Sequence, residues 1–109
     1  MTLSELEALA AVEWSATAPA RPWGDMPWVE RHRRLVNYAR HHLTEYDLRV
    51  RSAPSWRKQT LAIRDAYVEI GERWPELAKE CQHQSDMKTK RSHRQAGRWL
   101  RRSDKTNTD

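Results

Sequence analysis

The sequence predicts an all-α protein, a small bundle of three to four helices with a basic, partly disordered C-terminal tail. Apolar residues between Trp56 and Trp74 recur at steps of three and four, so they share one face of a helix turning ~100° per residue. The chain has only 3 Gly and 5 Pro, and its low Val and Ile content disfavours a sheet. Its 109 residues suffice for one domain with one modest core.

The first helix is predicted over residues 5–14. Ser4 is a suitable N-cap, and Glu7 follows three residues later, which is the spacing of a capping box. A helix this short is marginal in isolation, so we expect it to dock on the rest of the chain.

A linker is predicted over residues 15–27, because three prolines and a glycine disfavour regular structure there. Trp23 lies in the middle of this linker. The favoured interpretation is that Trp23 covers an edge of the core, and the alternative is an exposed hot spot for a partner.

The second helix is predicted over residues 26–46, with Asp25 as its cap and Pro27 in its first turn. Its flanks are heavily basic and include Arg33 and Arg40, which we expect to reach an anionic partner. The inward stripe is predicted to consist of Trp28, His32, Leu35, Ala39, Leu43 and Tyr46.

A central helix over residues 56–74, capped by Ser55, is predicted after a coil at residues 47–54. Leu61 and Val68 form a second apolar patch about 130° from the main face. Because a helix that is apolar on two sides is usually packed between neighbours, we expect this helix at the centre of the bundle. The main face comprises Trp56, Thr60, Ile63, Tyr67, Ile70 and Trp74.

Pro75 should end the central helix near Trp74, because proline cannot donate the next helical hydrogen bond. Proline is well tolerated at the first position of a helix, so a new helix is predicted from that point. The remaining segments are predicted as a helix at residues 75–83, a flexible joint at 85–92, a short helix at 92–102 and a disordered tail at 103–109.

The basic charge is concentrated at the C-terminal end. The net charge is +5, and residues 88–109 alone carry eight basic and two acidic groups, so we divide the chain into a helical domain (1–87) and a basic extension (88–109). Arginines around an aromatic residue suit phosphate neutralisation with base stacking, whereas a solvated tail is the alternative. The predicted nucleic-acid-binding residues are Lys88, Lys90, Arg91, Arg94, Arg98, Trp99, Arg101 and Arg102, with Arg33 and Arg40 of the second helix.

These patterns predict a non-enzymatic protein that binds DNA or RNA mainly through the phosphate backbone. A helix-turn-helix is disfavoured, because the candidate recognition helix carries Glu76 and Glu80. The sequence has no glycine-rich phosphate loop and no nucleophile elbow, so we expect no catalytic residues and no cofactor. The metal-ligand types near the C-terminus lack the paired spacing of a zinc site; they are Cys81, His83, Asp86 and His93.

A protein-interaction adaptor or inhibitor is the alternative class. The 6 Trp residues and many arginines are the types that dominate binding hot spots, and a thin core also favours self-association, so the oligomeric state stays open. The single cysteine, the absence of a secretory signal and the absence of an apolar run near ~20 residues predict a cytoplasmic protein without a membrane partner.

Overall fold

The computed structural model describes residues 1–17 and 20–91, which form five α-helices and two short 3₁₀ turns. These residues contain no strand, so the all-α class is confirmed. The helix count exceeds the predicted three to four, because the segment predicted as coil forms a helix of its own; the predicted joint is also helical, but it extends the helix before it. The helices are α1 (Leu3–Thr17), α2 (Trp28–His42), α3 (Tyr46–Ser52), α4 (Trp56–Arg73) and α5 (residues 78–91), and the 3₁₀ turns are Trp23–Asp25 and Pro75–Leu77.

A capping box does start α1, but it lies two residues before the predicted one. The Thr2 hydroxyl accepts a hydrogen bond from the Glu5 amide at 3.2 Å, and the Glu5 carboxylate accepts one from the Thr2 amide at 3.4 Å. Because Thr2 and Glu5 satisfy two amides at the helix start reciprocally, the helix begins at Leu3, and the prediction of Ser4 as its cap is wrong.

The second helix begins later than predicted, at Trp28. Pro27 is extended (φ −57°, ψ 150°) and offers no side-chain cap, while Asp25 belongs to the preceding 3₁₀ turn, so Asp25 does not cap α2. Trp23 packs against the core and donates its indole N–H to the Glu7 carboxylate at 3.0 Å. The prediction that Trp23 covers an edge of the core is therefore confirmed.

The segment predicted as coil forms α3 instead. Tyr46 and Val50, four residues apart, pack against the core, and the rings of Tyr46 and Tyr67 meet edge to face with 5.9 Å between centroids. Leu48, between them, is exposed. Leu48 and Val50 alternate with Arg49 and Arg51, so the local pattern of this predicted coil shows no helical stripe. The tertiary contacts of Tyr46 and Val50, one helical turn apart, outweigh that pattern.

The main face and the start of α4 are as predicted. Ser55 accepts a hydrogen bond from the Lys58 amide at 3.3 Å and so caps the helix. Thr60, Ile63, Tyr67 and Ile70 of the helix and Trp74 beyond its end are buried, whereas Trp56 at its start is half-buried. The predicted second packing face is wrong, because Leu61 and Val68 are 50% and 56% exposed.

The fifth helix runs through the segment predicted to be a joint. After the 3₁₀ turn Pro75–Leu77, residues 78–91 are continuously helical, so the boundary predicted at residue 87 falls inside a helix. Cys81, Ser85 and Thr89 are buried at steps of four, and such small side chains allow close approach to neighbouring helices. The predicted helix at 92–102 and tail at 103–109 lie outside the described residues.

The helices enclose one core. Glu7 pairs with Arg31 at 3.4 Å and Glu13 with His42 at 3.1 Å, so α1 and α2 run in the same direction. Trp74 is almost completely buried and donates its indole N–H to the Met1 carbonyl at 3.2 Å. The buried core residues are Leu6, Ala10, Leu35, Val36, Ala39, Tyr46, Ile63, Ala66, Tyr67, Ile70, Trp74, Leu77 and Cys81.

The capping box gives a direct test of the start of α1. Thr2→Ala should lower the free energy of unfolding by about 0.5–2 kcal/mol, because it removes the acceptor of the Glu5 amide. Ser4→Ala is the matched control and should change it by less than about 0.5 kcal/mol, since Ser4 is exposed. Urea unfolding followed by circular dichroism measures both, and a larger loss for Ser4→Ala would contradict the observed cap.

Candidate nucleic-acid interface

Five of the ten predicted nucleic-acid-binding residues lie in the described part of the chain. Arg33 and Arg40 are on α2, and Lys88, Lys90 and Arg91 are on the last turns of α5. The other five lie outside the described residues; they are Arg94, Arg98, Trp99, Arg101 and Arg102.

The helices α2 and α5 lie side by side and bring Arg33, Arg40 and Lys88 together. Gln84 of α5 donates to the Arg33 carbonyl at 3.3 Å, and Arg33 Nε lies 3.6 Å from the Glu80 carboxylate. Further along both helices, Arg40 and Lys88 line the same cleft. Two separate stretches of sequence therefore contribute basic residues to one surface.

The cleft between α2 and α5 has a volume of about 460 Å³. It contains three cationic side chains and one carboxylate, so its charge is net positive. Lys90 is two residues from Lys88, which places it about 200° around the helix, and it does not line the cleft. The lining residues are Arg33, Asn37, Arg40, Glu80, His83, Gln84, Met87 and Lys88.

Arg40 is buried rather than exposed on a helix flank, with only 8% of its surface accessible. Its Nη1 donates to the Tyr67 hydroxyl at 2.8 Å, and its Nη2 lies 2.8 Å from His41 Nε2. The guanidinium also stacks over the Tyr46 ring, 5.0 Å from the centroid. Its Nε has no hydrogen-bond partner, and no carboxylate of the described chain forms an ion pair with it.

A hydrogen-bonded relay continues from Arg40 to α3. Because Nη2 of Arg40 is a donor, the neutral His41 ring accepts at Nε2 and donates from Nδ1 to the Asp47 carboxylate at 2.9 Å. This hydrogen bond from His41 lowers the pKa of Asp47. The relay orients Arg40 without placing a negative charge in contact with it.

Burial is the main cause of three pKa shifts around the cleft. The pKa of Lys88 is lowered by partial burial and then by repulsion from Arg40 and Arg91. Burial raises the pKa of Tyr67 and of Tyr46, and the Arg40 guanidinium opposes that rise. Partial burial and the neighbouring charges of Arg40 and Arg91 therefore both disfavour the protonated form of Lys88.

Arginines on the opposite flank of α2 are neutralised. Arg31 lies 3.4 Å from the carboxylate of Glu7, and Arg34 lies 3.7 Å from that of Glu30. Arg21 from the preceding loop also pairs with Glu30 at 3.1 Å. The acidic side chains near α2 are therefore concentrated on the α1 side, which leaves the α5 side with the excess of positive charge.

Sequence reasoning missed the polar residues of the cleft, above all Asn37 and Gln84. On α5, Glu80, Gln84 and Lys88 follow each other at steps of four. This spacing is visible only when α5 is taken as one continuous helix. The predicted break at residue 85 separated Lys88 from the other two.

The described residues show neither a reactive cysteine nor a cluster of metal ligands. The thiol of Cys81 is buried, which raises its pKa to about 12, so it stays protonated. Residues 1–17 and 20–91 contain no cluster of three or more His, Cys, Asp or Glu side chains that could hold a metal ion. No helix in these ranges combines the length and apolar character needed to cross a membrane.

No protein-family model matches this chain, and neither a curated protein nor a solved structure shows significant similarity to it.

The Arg40–Tyr67 hydrogen bond can be tested by removing one hydroxyl. Tyr67→Phe should lower the free energy of unfolding by about 1–3 kcal/mol, because a buried guanidinium loses an acceptor. Tyr38→Phe is the matched control, since the Tyr38 ring packs against His42 and its hydroxyl forms no hydrogen bond within residues 1–17 and 20–91. Urea unfolding at neutral pH should show the loss for Tyr67→Phe alone, and equal losses would contradict the role given to this contact.

The same two variants test how the free energy of unfolding depends on pH in the alkaline range. The pKa of Tyr67 is raised in the folded state, so the unfolded chain loses this proton first. The stabilising contribution is present below the ordinary tyrosine pKa of 10.0 and is lost as the pH rises through the folded value. We expect the free energy of unfolding to fall less steeply above pH 10 in Tyr67→Phe than in Tyr38→Phe, as measured by urea titrations across that range.

Proposed function

We propose that this protein binds nucleic acid, DNA or RNA, through its phosphate backbone and acts without enzymatic activity as a regulatory or accessory protein of the cytoplasm. The observation that carries the proposal is the convergence of Arg33, Arg40 and Lys88 on one cleft with a single carboxylate. Arg91 stands beside Lys88 on the same side of α5 and extends the positive surface. The cytoplasmic location rests on the sequence alone.

The chemistry of this surface favours phosphate rather than bases. Arginine and lysine neutralise phosphates and release condensed counterions, which gives affinity without sequence preference. Four further arginines, at 94, 98, 101 and 102, follow along the chain and would add contacts to neighbouring phosphates. Binding by this mechanism is strongest at low ionic strength and weakens steeply as salt increases.

A salt titration tests the proposal. Fluorescence anisotropy with labelled single- and double-stranded oligonucleotides should show binding at about 50 mM salt, with log affinity falling linearly with log salt concentration. The double variant Arg33→Gln, Arg91→Gln should reduce the slope by about 2, since each lost phosphate contact removes about 1.

The matched control for this titration is Arg51→Gln with Lys58→Gln, which removes two exposed charges from α3 and α4 outside the cleft. It should leave the slope unchanged. The absence of binding at low salt would refute the proposed function, and equal effects of the two double variants would refute its location.

The alternative function, a protein-interaction adaptor or inhibitor, is supported by a different residue. Trp28 at the start of α2 is 62% exposed, and Val29 beside it is 44% exposed, although the predicted stripe placed Trp28 inward. An exposed tryptophan is the residue type most enriched at binding hot spots. Trp14 and Trp23 are only partly exposed.

The adaptor function predicts that Trp28→Ala abolishes either self-association in sedimentation velocity or capture of one specific partner. The free energy of unfolding should change by less than about 0.5 kcal/mol, because an exposed side chain contributes little to stability. Association and capture that are unaffected by the substitution would exclude Trp28 as the contact.

A further inference from the structure

Arg40 is an unusual residue in this fold. It is the one Arg or Lys side chain that is buried in residues 1–17 and 20–91. The buried Nε of Arg34 also lacks a hydrogen-bond partner, but Arg34 pairs with Glu30 and stacks on Trp14. Within the described residues no negative charge is in direct contact with Arg40, and it acts on the Asp47 carboxylate across the intervening His41 ring.

A buried cation with neutral partners is poorly compensated. The Tyr67 hydroxyl, the His41 ring nitrogen and the Tyr46 ring satisfy part of the hydrogen-bonding capacity of the guanidinium, yet none carries a charge. Removing a charge from water is unfavourable unless an opposite charge replaces the lost solvation. Such a residue at the wall of an open cleft is a candidate for binding an anion.

The surroundings of Arg40 supply the other groups that an anion requires. Lys88 and Arg33 contribute two further positive charges to the same cleft, and Asn37 lies one turn from Arg40 on α2 and provides a neutral amide donor. The carboxylate in the cleft, Glu80, is engaged by Arg33 at 3.6 Å and by the Gln84 amide at 3.1 Å. A volume of about 460 Å³ readily admits a group the size of a phosphate.

We propose that the cleft between α2 and α5 is a discrete binding site for one phosphate group, contacted by Arg40, Lys88 and Arg33 with Asn37 as an additional donor. This site specifies where the proposed function would bind a phosphate. It rests on that function for the source of the phosphate, which is the nucleic-acid backbone or terminus. Arginine suits this role because it stays charged at ordinary pH, and each Nη of Arg40 keeps a second N–H beyond the one engaged with Tyr67 or His41. The site anchors one phosphate, and the surrounding basic residues contact its neighbours.

Titration of the full chain with inorganic phosphate tests the site independently of nucleic acid. Sodium phosphate is added against sodium chloride at constant ionic strength, and backbone amide shifts are followed by ¹H–¹⁵N NMR. We expect saturable shifts confined to α2 around Arg40 and α5 around Lys88. Lys88→Gln should weaken phosphate binding at least about 5-fold, since one of the charges at the site is lost.

Lys79→Gln is the matched control, because Lys79 is exposed on the same helix and lies nine residues away, about 180° around it. It should leave phosphate binding unchanged. Lys88 and Lys79 are not core residues, so both variants should keep the fold, which their amide spectra will show directly. Shifts that do not saturate, or equal weakening in the two variants, would overturn the proposal.

The oligonucleotide titration separates this site from the proposed function. Oligonucleotide binding without saturable phosphate binding overturns the discrete site and leaves the backbone-binding function intact. Saturable phosphate binding that is lost in Lys88→Gln, without oligonucleotide binding at low salt, supports the site, refutes the proposed function and identifies a small phosphate compound as the source. Displacement of bound phosphate by oligonucleotide supports both.

Discussion

The hydrogen bond from the buried Arg40 guanidinium to the Tyr67 hydroxyl is the contact on which the arrangement of α2, α4 and α5 depends. The Tyr67 hydroxyl lies 3.5 Å from the Gln84 side-chain oxygen, and Gln84 donates to the Arg33 carbonyl of α2 at 3.3 Å. Three helices therefore meet in one polar chain beside the apolar core. Because an unsatisfied polar group is costly in a region of low dielectric constant, such a chain disfavours other registers of these helices.

The position of the carboxylates determines where the surface is charged. On the α1 side of α2, Glu7 and Glu30 neutralise the neighbouring arginines. On the α5 side, Glu80 is the one carboxylate that lines the cleft, and it faces three cations. The fold thus gives a single helix one neutralised flank and one flank with an excess of positive charge, and an anionic partner is attracted to the second.

Much of α4 could be predicted from the sequence, because its helix-forming information is local. Ser55 as the cap and Pro75 after the last turn act within a few residues, and the spacing from Thr60 to Trp74 matches one buried face. The errors concern features that depend on distant contacts. Helix α3 forms because Tyr46 and Val50 pack on the core, and the polar segment after Ser85 is helical although it has few large apolar residues.

The sequence by itself determined the all-α class, the main face of α4 and the excess of basic residues near the C-terminal end, because composition and periodicity express these properties directly. Only the tertiary structure decided which basic residues meet. Burial of Arg40 and its proximity to Lys88 depend on the lateral packing of α2 against α5, two segments more than thirty residues apart along the chain. No local sequence pattern encodes the proximity of Arg40 to Lys88, since it follows from how the core residues of separate helices fit together.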